Sequence, residues 1–223
     1  MKRGAVLAIA AGTVVLSAAA APVLLDFRGT PDSTASTEEA QDAYLTARTK
    51  GDSAAPITIY EIADFQCPAC RTFWAQTLPV LEREYVASGK ARIVFINLPL
   101  ASIHANAPAA HELAMCAARQ DRFWPVHDLL YRHQDAWARL ADPREYLLTL
   151  ADSADVAVHD LKACLESGAA MLLIESEATQ VFRQGIRSTP SFVVERSLIP
   201  GAAPIDAWRP LLDSIYQEKT RRR

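Results

Sequence analysis

The chain has 223 residues, half of them apolar, and a formal net charge of −3. That length supports one sizeable core with room for an insertion. The weak net charge argues against a nucleic-acid binder, which shows a strongly basic face, and the short tail Arg221, Arg222 and Arg223 reads as a solvated terminus.

Lys2 and Arg3 precede an apolar run that starts at Ala5, and Ser17 to Ala21 supply small residues. This is the layout of a secretory signal peptide. The apolar character continues through Val23, Leu24 and Leu25, which brings the run to about 20 residues, near the length that spans a bilayer. Residues 1–26 are therefore expected to be a signal peptide or a membrane anchor. In either case the leading positive charges put the remainder outside the cytoplasm. Residues 27–54 are polar, with Gly, Pro, Ser and Thr, and read as a tether. Within it, Thr37 to Ala47 reads as a short helix capped by Thr37, with disorder as the alternative.

The stretch from Pro56 to Ile62 is β-branched and alternating, which predicts a buried strand. Cys67-Pro68-Ala69-Cys70 follows, and Phe73, Trp74, Leu78, Val80, Leu81 and Tyr85 then fit a helix. Pro68 suits its first turn, and Pro79 is expected to kink or break it. After Gly89, Ala91–Asn97 predicts a second strand, so strand, helix and strand form a βαβ unit with a parallel pair. From His104 to about Gly185 the pattern is helical, with helices expected over Ala107–Ala118, Phe123–Gln134, Pro143–Ala151, Asp155–Glu166 and Ala169–Gln184. Ser191–Val194 and Ser197–Ile199 read as a hairpin, and Ile205–Glu218 as a terminal helix. The fold class is α/β: a βαβ half and a ββα half separated by a helical insertion at about 104–175.

A C-x-x-C at the start of a helix, directly after a strand, brings two sulfurs within bonding reach. The helix N-terminus offers free N–H groups and a positive partial charge, which stabilise a thiolate at the first cysteine. Cys67 is then the nucleophile, and Cys70, one turn in, resolves the mixed disulfide. Half of a zinc site and a purely structural disulfide are the alternatives. Zinc needs two more ligands, and Cys116 and Cys164 lie far apart on helical stretches. His104, His111, His127, His133 and His159 are scattered without metal-site spacing. Phe123, Trp124 and Trp137 read as filling of the insertion core.

Three stretches, in order, resemble the DsbA-like branch of the thioredoxin superfamily, which includes secreted bacterial disulfide oxidases. They are Ala55–Glu61 leading into Asp64-Phe65-Gln66-Cys67-Pro68-Ala69-Cys70, Cys116–Gln120 leading into Phe123–Asp128, and Gly185–Phe192 with its Thr189-Pro190 pair. The resemblance runs from about Ala55 to Leu212, and the domain is expected over 55–218. It implies a thioredoxin-like fold and a redox-active Cys67–Cys70 disulfide. It also implies a cis Pro190 lying against that disulfide, with the Thr189 backbone open to an extended substrate. It places Glu61 as a buried acid under the disulfide, able to shuttle the proton of Cys70. An ordinary turn proline and an outward-facing strand glutamate are the bland alternatives. If Cys67 pairs with Cys70, Cys116 and Cys164 remain to form a stapling disulfide, or stay as two buried thiols.

The chain departs from the family in three places. Pro-Ala replaces the Pro-His of the strongest oxidases, which removes one source of thiolate stabilisation. Ser188 stands where glycine is common, and Glu195-Arg196 replaces an Asn-Gly type of turn. The readings that follow are a disulfide oxidase of exported, unfolded proteins, a reductase or isomerase of the same fold, and a non-catalytic envelope adaptor. The first calls for a quinone-linked membrane partner and the second for a membrane thiol donor. Neither calls for a cofactor or metal, since the two sulfurs carry the redox equivalents.

Overall fold

The computed structural model describes residues 42–221. The expected signal or anchor segment and most of the expected tether lie outside the described residues. No helix among the described residues is long and apolar enough to cross a membrane.

A five-stranded sheet with order β1-β3-β2-β4-β5 organises the molecule. Its strands are β1 (Thr49–Lys50), β2 (Ile57–Ala63), β3 (Ala91–Asn97), β4 (Ser191–Val194) and β5 (Ser197–Pro200). β2 and β3 run parallel, with Ile59 opposite Ile93 and Glu61 opposite Phe95. β4 lies antiparallel on the other side of β2, setting Phe192 opposite Glu61. The helices are α1 (42–47), α2 (Pro68–Gln76), α3 (Leu78–Leu81), α4 (Ala107–Ala118), α5 (Phe123–Arg132), α6 (Gln134–Trp137), α7 (Arg144–Asp152), α8 (Val158–Ser167), α9 (Ala169–Arg183) and α10 (Ile205–Arg221). The α/β class with a helical insertion between two halves, expected from the sequence, is the architecture observed.

Alternation along the strands divides the core. Ile57, Ile59, Ile93, Phe192 and Val194 pack with Phe73, Leu81, Trp208 and Leu212 beneath α2, α3 and α10. Phe73 and Phe192 pack as tilted rings with centroids 4.4 Å apart. Ile62, Val94, Ile96 and Val193 face the opposite way, against Val181 of α9. The insertion helices enclose a third cluster around Phe123, Leu130, Trp137, Leu147 and Leu161, which extends to Phe65, Cys67 and Cys70. The dithiol thus sits where the helical insertion meets the sheet.

Several boundaries differ from expectation. The tether does not extend to residue 54. Residues 42–47 are helical, Arg48 is only 2% exposed, and β1 pairs antiparallel with β3. Arg48 donates to both carboxylate oxygens of Glu177, at 2.6 and 2.9 Å, and to the Phe95 carbonyl at 3.0 Å. These partners lie 47 and 129 residues away, so a polar local composition gives no sign of the burial. The segment after Cys67 is broken more thoroughly than a kink. α2 stops at Gln76, α3 restarts with Pro79 in its first turn, and a π-helical turn follows over Glu82–Val86. The expected helix Phe123–Gln134 ends at Arg132, and the one expected from Asp155 starts at Val158, because Asp155 takes a left-handed φ of 57°. The β4–β5 turn is closed by Glu195 and Arg196 between the paired Val194 and Ser197. Glu195 carries a φ of 55°, a conformation that normally favours Gly or Asn, and its carboxylate meets Lys219 at 2.6 Å.

Candidate active site

Cys67 is the N-cap residue of α2, with extended backbone at φ −72° and ψ 122°, and Pro68 opens the helix. The loop before it is held from several sides. One carboxylate oxygen of Asp64 accepts from the Gln66 N–H at 2.7 Å. The other accepts from the Leu100 N–H at 2.8 Å and meets His104 Nδ1 at 2.8 Å. Gln134, at the start of α6, donates to the carbonyls of Phe65 at 2.7 Å and Cys67 at 3.1 Å. Gln66 donates to the Ala138 carbonyl and accepts from the Asn106 N–H. A loop so tied has little freedom, which fixes the sulfur geometry.

The two cysteines are free thiols with different surroundings. Cys67 is 7% exposed and Cys70 is fully buried. The Cys67 thiol donates to the Thr189 carbonyl at 3.3 Å. Its pKa is lowered to about 6, first by a hydrogen bond from the Cys70 thiol, against the opposing effect of burial. The Thr189 side chain and the backbone N–H groups of Ala69 and Cys70 add to the lowering. The Thr189 hydroxyl is buried and, among the described residues, has no hydrogen-bond partner while Cys67 is a thiol. Beside a thiolate it becomes a donor. Burial pushes the Cys70 thiol well above its ordinary value, and its neighbour Cys67 pushes the same way. At neutral pH one sulfur is therefore mostly a thiolate nucleophile and the other a protonated thiol.

The Thr189–Pro190 peptide bond is cis. Pro190 ends the approach to β4, and its carbonyl accepts from the Gly201 N–H at 2.7 Å. Sequence-picked Cys67, Cys70, Thr189 and Pro190 thus lie at one place. Cys116 of α4 and Cys164 of α8 are joined by a disulfide with Cα atoms 5.7 Å apart, within the insertion.

Glu61 faces the buried side of the sheet beneath α2, between Phe95 and Phe192, and is fully buried. Neither of its carboxyl oxygens has a hydrogen-bond partner among the described residues. Burial raises its pKa to about 8, opposed by Lys50 and reinforced by Glu82 and Asp128. Cys70 and Glu61 share a neighbour in the buried Tyr131 hydroxyl. Burial raises that hydroxyl far above its usual range, and the two acidic groups raise it further.

The sign of the Glu61 effect follows from linkage. The unfolded chain releases this proton near pH 4.5 and the folded chain near pH 8, so folding stability falls as pH rises between those values. Keeping Glu61 protonated at pH 7 costs on the order of 3 kcal/mol. Glu61→Leu is expected to stabilise the reduced protein by about 2–3 kcal/mol at pH 7 in urea unfolding. The gain should shrink towards pH 4.5. A gain independent of pH would contradict the assignment.

Sequence reasoning missed the residues that hold the loop. Besides Gln134 and Asn106, these include His111. Its Nε2 accepts from the Phe65 N–H at 3.3 Å, which leaves the proton on Nδ1, 2.8 Å from Asn97 Oδ1. Asn97 in turn donates to Glu177 at 2.7 Å. Burial lowers the His111 pKa to about 4, so the ring stays neutral and the chain of bonds intact at neutral pH. Asp64 and Gln66 were visible beforehand only as part of the stretch preceding the C-x-x-C.

The comparisons with known proteins agree with this geometry. The thioredoxin family profile matches residues 44–214. A probable disulfide bond formation protein D of Bacillus anthracis is 30% identical over 158 residues, covering 70% of this chain and 73% of that protein. The oxidised crystal structure of BdbD from Bacillus subtilis superposes with a TM-score of 0.70 at 21% identity, covering 78% of this chain and 95% of that one. Alpha-DsbA1 of Wolbachia pipientis also gives a TM-score of 0.70 at 21% identity, covering 78% and 93% of the two chains. A cysteine pair at a helix N-terminus, one sulfur activated and one buried, on this fold and with these relatives, places the chain in the thioredoxin family, among its DsbA-like thiol–disulfide oxidoreductases.

Proposed function

We propose that the protein is an extracytoplasmic disulfide oxidase that donates the Cys67–Cys70 disulfide to exported proteins. The observation that carries this reading is the asymmetry of the dithiol. Stabilising the Cys67 thiolate stabilises the reduced form, and a disulfide whose reduced form is favoured is readily given away. In the reaction, a substrate thiolate attacks Cys67 Sγ and the Cys67–Cys70 bond breaks. Cys70 leaves as a thiolate and takes up a proton. A second substrate thiolate then attacks the substrate sulfur of the mixed disulfide and expels Cys67 as a thiolate. Two electrons have passed to the enzyme.

In this reading Thr189 and cis-Pro190 present backbone to an extended substrate chain, and Glu61 moves the proton of Cys70. Ile103, 70% exposed, and Leu140, whose carbonyl holds Asn106 beside Gln66, offer exposed apolar side chains for an unfolded chain. Residues 1–26 direct export, and the Cys116–Cys164 disulfide suits an oxidising compartment. A membrane redox partner, quinone-linked, reoxidises the dithiol. The Pro-Ala dipeptide favours a second reading, a reductase or isomerase fed by a membrane thiol donor.

The two readings separate in a paired assay. The oxidised protein is mixed with a reduced, unfolded dithiol substrate, and the reduced protein with insulin. Faster disulfide donation than insulin reduction is expected. Insulin reduction that outpaces donation would move the assignment to the second reading.

A further inference from the structure

Cys70 gains or loses a proton at every turnover, yet it does so while a second chain is bonded to Cys67 and covers the Thr189 side. The proton needs another way through the protein. Three residues linked through the Phe95 and His127 rings carry buried polar atoms with no hydrogen-bond partner among the described residues: both carboxyl oxygens of Glu61, Nε2 of His127 and Nε1 of Trp124. The Phe95 ring, opposite Glu61 in the sheet, meets the His127 ring edge-on at 5.6 Å, and Trp124 meets it at 4.9 Å. Buried polar groups of this kind are ordinarily satisfied by internal water.

His127 is held in one tautomer. Its Nδ1 lies 2.8 Å from Asp128 Oδ1, which also accepts from Trp74 Nε1 at 2.9 Å. Burial works to raise the Asp128 pKa, but the bonds from His127 and Trp74 outweigh it and hold the carboxyl ionised. The Nδ1 proton therefore points at a carboxylate and Nε2 is left as a bare acceptor. The other groups around Glu61 are Lys50 of β1, Glu82 of the π-helical turn and Tyr131 of α5, whose hydroxyl also feels Cys70 of α2, while its β3 and β4 neighbours Phe95 and Phe192 are uncharged. Lys50 Nζ pairs with Glu82 Oε1 and lies 4.3 Å from the Trp124 ring centroid. The Lys50, Glu82 and Asp128 side chains are 24%, 33% and 42% exposed, so this side of the cluster reaches solvent.

We infer that the proton exchanged between Cys70 and Glu61 travels through this internal polar cluster, with His127 as relay and the Lys50–Glu82–Asp128 rim as outlet. In the oxidising direction the Cys70 S–H proton passes to the Glu61 carboxylate as the Cys70 thiolate attacks Cys67 Sγ. The Cys67–Cys70 bond forms and the bonded partner leaves as a thiolate. Glu61 then hands the proton, across bridging water, to His127 Nε2. Burial lowers the His127 pKa, so the ring holds no lasting charge: it takes the proton at Nε2 as its Nδ1 proton leaves along the bond to the exposed Asp128 carboxylate. Substrate oxidation runs the same path inward. His127 and Lys50 act through Glu61 and are positioning residues. The inference rests on Cys67 and Cys70 exchanging disulfides, and holds for either direction of net electron flow.

The test is stopped-flow oxidation of the reduced full chain by oxidised glutathione, followed by tryptophan fluorescence. The first phase, attack by Cys67, is proportional to glutathione concentration and serves as reference. The second phase, closure by Cys70, is independent of it and requires loss of the Cys70 proton. In the natural protein the second phase should rise with pH and level off near pH 8. His127→Gln and Asp128→Asn should each slow it at least about tenfold at pH 7 relative to the first phase, as Glu61→Gln should. Lys50→Met should move the levelling-off point to higher pH, since the ammonium holds the Glu61 value down. Should His127→Gln fail to fold, the partly exposed Asp128→Asn decides. A natural second phase in folded Asp128→Asn, together with a slow one in Glu61→Gln, would overturn the route and leave thiol exchange intact. Absence of the first phase in the natural protein would remove the exchange reading itself.

Discussion

Cys67→Ser is expected to abolish disulfide transfer in both directions, by at least about a thousandfold, with the fold unchanged. The nucleophile sits at the N-cap of α2, where the Ala69 and Cys70 N–H groups and the Cys70 thiol stabilise its anion. A serine hydroxyl at the same place gains far too little acidity from those donors to ionise at neutral pH, and no neighbouring residue replaces it. Cys70→Ser gives the complementary result. Cys67 still attacks, but the buried resolving sulfur is gone, so mixed disulfides with substrate accumulate and survive non-reducing gels. Alkylation of Cys67 in that variant should still report a thiolate, though with a pKa above about 6, because the Cys70 thiol is the largest stabilising contact. Transfer retained in Cys67→Ser, or no trapped species in Cys70→Ser, would place the chemistry elsewhere.

Removing the second disulfide is expected to have the next largest effect, on stability. Cys116 and Cys164 are separated by 48 residues, and chain entropy alone assigns such a loop about 4 kcal/mol, with about 2–4 kcal/mol typical of measurement. The bond ties α4 to α8 inside the insertion core, where Leu113, Ala117 and Leu161 are also buried. The Cys116→Ala, Cys164→Ala double variant should therefore lose about 2–4 kcal/mol in urea unfolding, a fall of roughly 5–15 °C in Tm. The Asp64–Cys67 loop is held by hydrogen bonds from Gln134, Asn106 and Leu100, so the Cys67 pKa should not move. A double variant as stable as the natural protein would show that the insertion core needs no staple.

What was legible in the chain follows from how local each signal is. Ala91–Asn97 and Ser191–Val194 are compact apolar runs and appear as strands with those bounds, and Ala107–Ala118 appears as the expected helix. The C-x-x-C declared itself by its position between a strand and a helix. The residues around it did not, because their roles depend on distant partners. His111 is tied to residues 14 and 46 positions away, and Arg48 to one 129 positions away. His127, like His111, had only a bland reading available, since a histidine on an apolar helix gives no sign of what its second nitrogen faces. Lys50 lies in a stretch that reads as solvated linker, yet β1 pairing brings it beside the Glu61 cluster. Glu61 could not be assigned a side from alternation alone, and its orientation became clear only once Phe95 and Phe192 were seen to flank it.

The reduction potential of the Cys67–Cys70 pair, measured on the full chain in glutathione buffers, tests the oxidase reading most directly. First-cysteine pKa values from about 7 down to about 3.5 accompany potentials from about −270 mV up to about −120 mV in thioredoxin-type folds. With Cys67 at about 6, a potential less negative than about −230 mV is expected. A value between about −230 and −270 mV would mean a disulfide too stable to donate, and would contradict it.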